Sequence, residues 1–187
     1  MTKILVTGSA GFIGFHLVKK LLDNGYDVVG IDNLNNYYDV NLKKTRLEKI
    51  ENFVEKRKLN ERYKFLKIDL ANKDSLKKLF KENTFDYVIN LAAQAGVRYS
   101  LENPDAYVES NLIGFINLME CCREKPIKHF LFASSSSVYG MNIKQPFSTS
   151  DNTDFPISLY AATKKSNELI ALSLIQISEP TRPERTS

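Results

Sequence analysis

The feature that most constrains the fold is a repeated alternation of short apolar segments with longer segments of helical periodicity. Each apolar segment has the length of a β-strand, and together they are Lys3–Thr7, Asp27–Ile31, Tyr63–Ile68, Tyr87–Leu91 and His129–Ala133. Strands this short and this continuously apolar are typical of a parallel sheet that helices cover on both faces. The alternation therefore predicts a doubly wound α/β fold.

Two helical segments have apolar positions that we expect to pack on the sheet. The segment Phe12–Asp23 ends at Asn24 and Gly25, a usual stop signal, and a further helix is expected over Val40–Asn60. In the first, the residues expected on the apolar side are Phe12, Phe15, Leu17, Leu21 and Leu22. In the second they are Leu42, Leu47, Ile50 and Phe53.

Composition excludes several classes of protein. The chain has 187 residues and 43% hydrophobic content, enough for one ordinary domain with a buried core. The net charge of +4 is small and basic residues alternate with acidic ones, so no nucleic-acid partner is expected. No apolar run approaches the roughly 20 residues of a membrane span, and Met1–Val6 lacks the pattern of a signal peptide. We therefore expect a cytoplasmic protein without membrane contact.

Adjacent Cys121 and Cys122 are expected to be reduced core residues, and no metal site is expected.

A glycine-rich loop, TGSAGFIG from Thr7 to Gly14, lies between the first predicted strand and the first predicted helix. A side chain at Gly8 or Gly11 would block a tight turn or the approach of a pyrophosphate, whereas Gly14 lets the helix lie close to the sheet. The backbone N–H groups and the positive end of the helix then face the phosphates. The loop predicts a dinucleotide site in a Rossmann-like sheet, bound by Gly8, Gly11, Phe12, Ile13 and Gly14.

Acidic residues end the second and third predicted strands. Asp32 follows Gly14 at about the 20-residue spacing at which dinucleotide-binding folds place an acid that accepts bonds from the ribose hydroxyls. A carboxylate there repels a 2′-phosphate, so the cofactor expected is NAD rather than NADP, with Asn33 beside it. Asp69 could meet the adenine amino group and Leu70 could cover the ring. An aspartate at a strand end is also an ordinary turn former, and that alternative stays open.

Tyr160 and Lys164 are spaced so that an α-helix places them on one face, one turn apart. Tyrosine ordinarily keeps its proton until about pH 10, so a phenol that acts as a base at neutral pH needs a neighbouring ammonium. The serine run 134–137 follows the fifth predicted strand, at the sheet edge where parallel sheets bind ligands. A hydroxyl there could hydrogen-bond a substrate oxygen beside Tyr160. A surface Tyr/Lys pair and a polar loop that caps the strand are the alternatives.

These segments together resemble the extended short-chain dehydrogenase/reductases, the NAD-dependent epimerases and dehydratases, from Met1 to about Ala171. The similar segments are TGSAGFIG, Asp32, NLAAQAG from Asn90, SSSSVYG and YAATK ending at Lys164. Within that family, the segments IDNLNNYYDVNLKKTRL, AQAGVRYSLENP and ASSSSVYG are most similar to UDP-glucuronate 4-epimerases. The resemblance implies NAD as cofactor, a UDP-sugar as substrate and a homodimer.

The resemblance also implies roles for individual residues. Ser135 is similar in position to the active-site serine, Tyr160 to the base and Lys164 to the residue that holds the nicotinamide ribose. Residues implied to contact the substrate are Ser135, Ser136, Ser137 and Arg98, the last near the nicotinamide or the sugar. Further residues implied to line the cofactor are Leu91, Ala92, Ala93, Gln94 and Asn111.

The reaction that the resemblance implies interconverts UDP-glucuronate and UDP-galacturonate through a 4-keto intermediate. Tyr160 as phenolate takes the proton of the 4-hydroxyl while C4 delivers hydride to NAD, and the ketone takes the hydride back on its other face. Related dehydratases and decarboxylases carry an acid immediately before VYG, where this chain has Ser137, and elimination requires that additional acid/base group. A UDP-hexose 4-epimerase acting on a neutral sugar and a noncatalytic NAD-binding module stay open as alternatives.

We expect residues 1–171 to form an incomplete NAD-binding domain that stops before the last sheet strands and the substrate domain. From Leu172, the sequence LSLIQISEPTRPERTS departs from the family pattern. Up to Arg182 it resembles a translated transposase adapter of sequencing libraries, LSLIHISEPTR, except at Gln176. Residues 172–187 are therefore predicted to be an artefactual or disordered tail. A chain without the missing parts is predicted to be poorly stable and inactive alone.

Overall fold

The computed structural model describes residues 1–178, with side chains described through residue 174. Its strands are β1 (Lys3–Thr7), β2 (Asp27–Asp32), β3 (Tyr63–Lys67), β4 (Tyr87–Asn90) and β5 (His129–Phe132). All are parallel and form one sheet in the order β3-β2-β1-β4-β5. This confirms the predicted doubly wound α/β fold. The strand order reverses between β1 and β4, and ligands of such sheets bind outside the carboxyl ends of the strands at that point.

Helices cover both faces of the sheet. They are α1 (Phe12–Asp23), α2 (Val40–Arg57), α3 (Lys73–Glu82), α4 (Tyr99–Glu102), α5 (Pro104–Tyr107), a π-helix (Val108–Ile113), α6 (Gly114–Glu124) and α7 (Leu159–Ser178). Alternate residues of β1 point to opposite faces. Ile4 and Val6 pack in a cluster with α1 and α2, whereas Leu5 packs in a second cluster with α3 and α6.

The buried faces of α1 and α2 differ in part from those expected. Phe12 is 68% exposed because it lies at the first turn, beside the glycine-rich loop rather than over the core. In α2 the buried positions are Lys43, Leu47, Ile50 and Val54. The predicted Leu47 and Ile50 are thus confirmed, but Leu42 is exposed. The buried stripe includes Lys43 in its place because that lysine reaches a buried carboxylate described below.

Helix α7 packs beside α6 and continues to Ser178, past the boundary expected at Ala171. Phe115, Met119 and Ala171 form the buried cluster between the two helices. Residues 179–187, which belong to the predicted tail, lie outside the described residues. Within residues 1–178, no helix combines the length and the hydrophobicity that crossing a lipid bilayer requires.

Strand β5 forms one edge of the sheet and is the least covered strand of that half. Leu131 is 43% exposed, and His129 is also exposed. The neighbouring strand β4 has Val88 fully buried. The side of the sheet that carries the serine run therefore lies at an open edge.

Candidate active site

The glycine-rich loop after β1 is packed so closely that side chains do not fit. Gly8 has a φ of 66°, in the left-handed region that glycine adopts without strain. A Cβ on Gly8 would lie 2.8 Å from the backbone nitrogen of Ala92, and one on Gly14 would overlap the Gly8 carbonyl oxygen. The Gly11 N–H donates to that oxygen at 2.9 Å, which closes the turn.

Helix α1 begins directly after this loop, and no side chain caps its first turn. Its unpaired N–H groups and its positive dipole end make this terminus a site for a phosphate group. A cavity of about 320 Å³ opens in front of it. The predicted cofactor residues that line the cavity are Gly8, Gly11, Phe12, Ile13, Gly14, Asp32, Asn33, Asp69, Leu70, Leu91, Ala92 and Ala93.

Asp32 is a buried carboxylate at the wall of this cavity. Its Oδ1 accepts from the Leu34 N–H at 2.8 Å, and its Oδ2 accepts from the Ala10 N–H at 3.3 Å. The buried Lys43 of α2 forms an ion pair with Oδ1 at 3.4 Å. These contacts hold the carboxylate at the end of β2, where the sequence placed an acceptor for ribose hydroxyls.

Asn33 and Asp69 connect the loop after β2 to the loop after β3 at the wall of the cavity. The Asn33 side-chain amide donates to Asp69 Oδ2 at 2.9 Å, and the Ala71 N–H donates to Asp69 Oδ1 at 2.9 Å. Leu70 is buried and packs in the core cluster. The aspartate therefore forms the turn that sequence reasoning left as its alternative role, and it also lines the cavity.

Gln94 and Asn111, like Tyr160 and Lys164, are predicted cofactor residues that are not among the lining residues of the cavity. Gln94 and Asn111 are both buried, and the Asn111 side chain bonds the Gln94 backbone twice: the Gln94 backbone N–H donates to Asn111 Oδ1 at 2.8 Å, and Asn111 Nδ2 donates to the Gln94 backbone carbonyl at 3.0 Å. Asn111 Nδ2 also donates to Thr163 Oγ1, and Asn167 Nδ2 donates to the Asn111 carbonyl at 2.7 Å. This network fastens α7 to the loop after β4.

Tyr160 and Lys164 lie one turn apart on α7, as predicted from their spacing. The Tyr160 ring packs edge-on against the fully buried Tyr107, with ring centroids 6.1 Å apart. Burial lowers the pKa of Lys164 to about 8, while the Glu168 carboxylate acts in the opposite direction. Among the side chains described, through residue 174, the Lys164 ammonium has no hydrogen-bond or ion-pair partner. An amine without such a partner, on a side chain that is otherwise buried, is suited to bind a ligand hydroxyl.

The serine run lies directly after β5 and contacts α7. Ser135 Oγ accepts from the Ser137 N–H at 3.2 Å and donates to Ser137 Oγ at 3.1 Å, and a short 3₁₀ turn, Ser136–Tyr139, follows. This turn packs against α7, so the serines and the helix of Tyr160 are neighbours. The hydroxyl, the phenol and the amine thus come from two adjoining elements.

The structure does not bring Arg98 into these contacts. Its side chain is exposed just before α4 and makes no hydrogen bond or ion pair with other described residues.

Several residues that line the cavity were not predicted from the sequence. Ile31, Asn35, Tyr38, Ile68 and Ser110 line the cavity. Lys43 could have been found as a charge within the apolar stripe of α2, whereas the others carry no distinctive signal.

Residues 5–177 match the family model described as GDP-mannose 4,6 dehydratase. The chain belongs to this family. This GDP-mannose 4,6-dehydratase family member is 55% identical over 169 residues to protein CapI of Staphylococcus aureus, covering 90% of this chain and 48% of CapI. It is 50% identical over 172 residues to UDP-glucuronate 4-epimerase 4 of Arabidopsis thaliana, covering 90% of this chain and 37% of that protein. The chain thus spans about half or less of the length of these relatives.

Solved structures give the same result for the fold of this family member. UDP-glucuronic acid 4-epimerase from Bacillus cereus, in complex with UDP-glucuronic acid and NAD, superposes with a TM-score of 0.81 at 37% identity. That match covers 94% of this chain and 52% of that chain. The UDP-Glc/GlcNAc 4-epimerase of Campylobacter jejuni gives 0.83 at 27% identity, covering 95% and 50%. The predicted membership of the epimerase and dehydratase family and the Rossmann-like sheet are confirmed.

Proposed function

We propose that the full-length protein containing residues 1–171 is an NAD-dependent nucleotide-sugar 4-epimerase that interconverts UDP-glucuronate and UDP-galacturonate. The observation that carries the proposal is the pairing of Tyr160 with a buried, unbonded Lys164 on α7, packed against the serine turn. Residues 1–171 are the NAD-binding domain in this proposal. The 50% identity to a plant UDP-glucuronate 4-epimerase supports the choice of substrate.

The chemistry of the cavity in front of the glycine-rich loop supports NAD as its ligand. Its volume of about 320 Å³ lies within the range of small-molecule sites. The uncapped N-terminus of α1 would hold the pyrophosphate, Asp32 the adenosine ribose, and Lys164 the nicotinamide ribose. When bound, the nicotinamide ring supplies an acceptor for the C4 hydride of the sugar and returns it.

The side chains of the proposed site handle the proton and the oxygen of the 4-hydroxyl. Tyr160 as phenolate accepts the hydroxyl proton, and the positive charge of Lys164 favours the phenolate over the neutral phenol. Ser135 donates a hydrogen bond to the same oxygen, which stabilises the charge that develops as the proton leaves. When the hydride returns, Tyr160 gives the proton back.

The serine run favours epimerisation over elimination of water. Elimination needs an additional acid/base group, and positions 135, 136 and 137 carry hydroxyls. The carboxylate that does contact the run is Glu168, which is occupied by Ser134 and Lys165. The site therefore supplies the groups for proton transfer at the 4-hydroxyl and no free carboxylate at the VYG position.

We also propose that the full-length protein is a homodimer in which α6 and α7 pair with a second copy. Large apolar side chains on these helices are exposed, including Ile116 at 42% and Leu169 at 56%. Exposed apolar side chains that lie together mark interaction surfaces, so these two helices support the proposed pairing.

The test of the proposed function is product analysis with the purified full-length protein, using UDP-glucuronate and UDP-glucose in separate reactions. We expect UDP-galacturonate to form, and UDP-galactose to form at least about 100-fold more slowly, because a site built for a carboxylate discriminates against a substrate that lacks it. Faster formation of UDP-galactose would show that the protein is a neutral-sugar epimerase. The 32% identity of this chain to the Thermotoga maritima UDP-glucose 4-epimerase makes that outcome the main alternative. NAD binding without either product would show a noncatalytic module.

A further inference from the structure

Glu168 links the serine run to the helix that carries the proposed base. It lies one turn beyond Lys164 on α7, and its Oε1 accepts a hydrogen bond from Ser134 Oγ at 2.5 Å. Its Oε2 lies 3.5 Å from Lys165 Nζ. A hydrogen bond to a carboxylate is shorter and stronger than one between neutral groups. One side chain therefore connects the residue before Ser135 to the helix of Tyr160.

Among the described residues, the bond between Ser134 and Glu168 is the side-chain hydrogen bond that joins the serine run to another element. Ser134 and Ser136 are both exposed, and Ser135 bonds only locally, to Ser137. Ser134 and Glu168 lie 34 residues apart in the chain. Their bond is thus a tertiary contact that adds to the packing of the turn Ser136–Tyr139 on α7.

Glu168 also acts on Lys164 through its charge. Burial lowers the pKa of Lys164 to about 8, and the Glu168 carboxylate raises it against that effect. Glu168 itself contacts Ser134 after β5 and Lys165 on α7, and Tyr160, one turn before Lys164, packs on Tyr107 of α5. Because the phenolate needs a charged Lys164, a nearby carboxylate extends the pH range in which the pair works.

We propose that Glu168 is a positioning residue of the reaction: it fixes the serine run against α7 and keeps Lys164 charged. The inference rests on the proposed epimerase function. Its two parts separate experimentally, because glutamine retains an oxygen that accepts from Ser134 but lacks the charge, whereas alanine at position 134 removes the hydrogen bond but leaves the charge in place.

The first variant is Glu168→Gln in the full-length protein, with kcat for UDP-glucuronate measured between pH 6 and pH 10. We expect the alkaline limb of the profile to move to lower pH by about half a unit, a roughly threefold loss of rate above the limb. The control is Glu120→Gln on α6, which removes a carboxylate that also pairs at i,i+3 with similar exposure, 30% against 32% for Glu168. Its profile should match that of the parent.

The second variant is Ser134→Ala, for which we expect kcat to fall about fivefold while the alkaline limb stays in place, because misplacement of a hydrogen-bonding group slows the chemical step. The control is Ser166→Ala, whose hydroxyl bonds only to the Ala162 carbonyl of its own helix. In parallel, amide hydrogen exchange over residues 134–140 should be faster in Ser134→Ala than in the parent, independent of activity.

A Glu168→Gln profile that superimposes on the parent's overturns the charge role, and an unchanged kcat with unchanged amide exchange in Ser134→Ala overturns the tether. Loss of rate in Glu168→Gln at every pH, without movement of the limb, also contradicts the proposal. If the parent protein converts neither UDP-sugar, the proposed function fails on its own, and the exchange rates alone then decide whether the tether exists.

Discussion

The cofactor side and the catalytic side of this sheet are built in different ways. On the cofactor side, β1, α1 and β2 form a continuous local unit, and Val28, Val29 and Ile31 of β2 are almost fully buried. On the catalytic side, the serine run and α7 are separate elements that meet beside the exposed edge strand β5. The proposed NAD cavity is therefore lined by one local unit and its neighbouring loops, whereas the proposed catalytic groups come from separate elements beside an edge strand of the described sheet.

The two sides also differ in what holds them. The glycine-rich loop is fixed by backbone contacts, such as the Gly11 N–H to the Gly8 carbonyl. The elements that carry the proposed catalytic groups are joined by side-chain bonds among Asn111, Thr163 and Asn167 and between Ser134 and Glu168. Substitutions on the cofactor side should therefore change NAD affinity, and substitutions on the catalytic side should change turnover.

Tyr160→Phe in the full-length protein should show the largest difference between the effect on turnover and the effect on NAD affinity. Removal of the base should lower kcat by about 1000-fold or more, since general base catalysis contributes roughly 10²–10⁴ in rate. The dissociation constant of NAD, measured by calorimetry, should stay within about threefold of the parent because the cavity lining is intact. Tyr26→Phe, directly before β2, is the control. Unchanged turnover in Tyr160→Phe would refute the assignment of turnover to the catalytic side.

Gly14→Ala, on the cofactor side, should mainly weaken the binding of NAD. The added Cβ would overlap the Gly8 carbonyl and lie 2.8 Å from Ser9 Cα, so the loop must open and NAD affinity should fall by more than about tenfold. Gly25→Ala is the control outside the loop: Gly25 has a φ of 82°, so the alanine strains the backbone, but its Cβ would meet only the Arg62 side chain, at 3.8 Å. Equal NAD affinity in the two variants would show that the loop does not hold the phosphates.

The local unit could be predicted from the sequence far better than the tertiary contacts. Each strand was expected within a residue of its observed ends, and α1 at its observed bounds, because apolar runs and stop signals are local. The ion pair of Lys43 with Asp32 and the bond of Ser134 to Glu168 join distant segments, so no local pattern shows them. Phe12 was wrongly placed in the core because helical periodicity does not reveal that the first turn faces a ligand site.

The pH dependence of turnover tests whether the catalytic side needs the charge of Lys164. Because the pKa of Lys164 in the fold is about 8, its charge is present below that pH and is lost above it. We expect kcat to decline above pH 8, reaching about a tenth of its plateau one unit higher, while NAD affinity changes less. A rate that stays constant from pH 8 to pH 10, measured by initial velocities, would exclude a role for the Lys164 charge.

A smaller effect is expected for Asp32→Asn. The amide retains an acceptor for the ribose but loses the charge that opposes a 2′-phosphate, so NAD affinity should fall about fivefold and the preference over NADP should decrease. Lys43 also loses its ion-pair partner, which should lower the melting temperature. Asp23→Asn, which removes a carboxylate from an exposed ion pair with Arg57, is the control. An unchanged NAD-to-NADP preference in Asp32→Asn would contradict the ribose contact.

The central claim is that one ligand oxygen can be reached by both the Ser135 hydroxyl and the Tyr160 phenol beside the bound nicotinamide. A crystal structure of the full-length protein with NAD and UDP-glucuronate measures this directly. The account predicts that both oxygens lie about 3 Å from the sugar's 4-hydroxyl. A Tyr160 side chain that points away from the cavity, or a Ser135 hydroxyl too far away to share that oxygen, would contradict it.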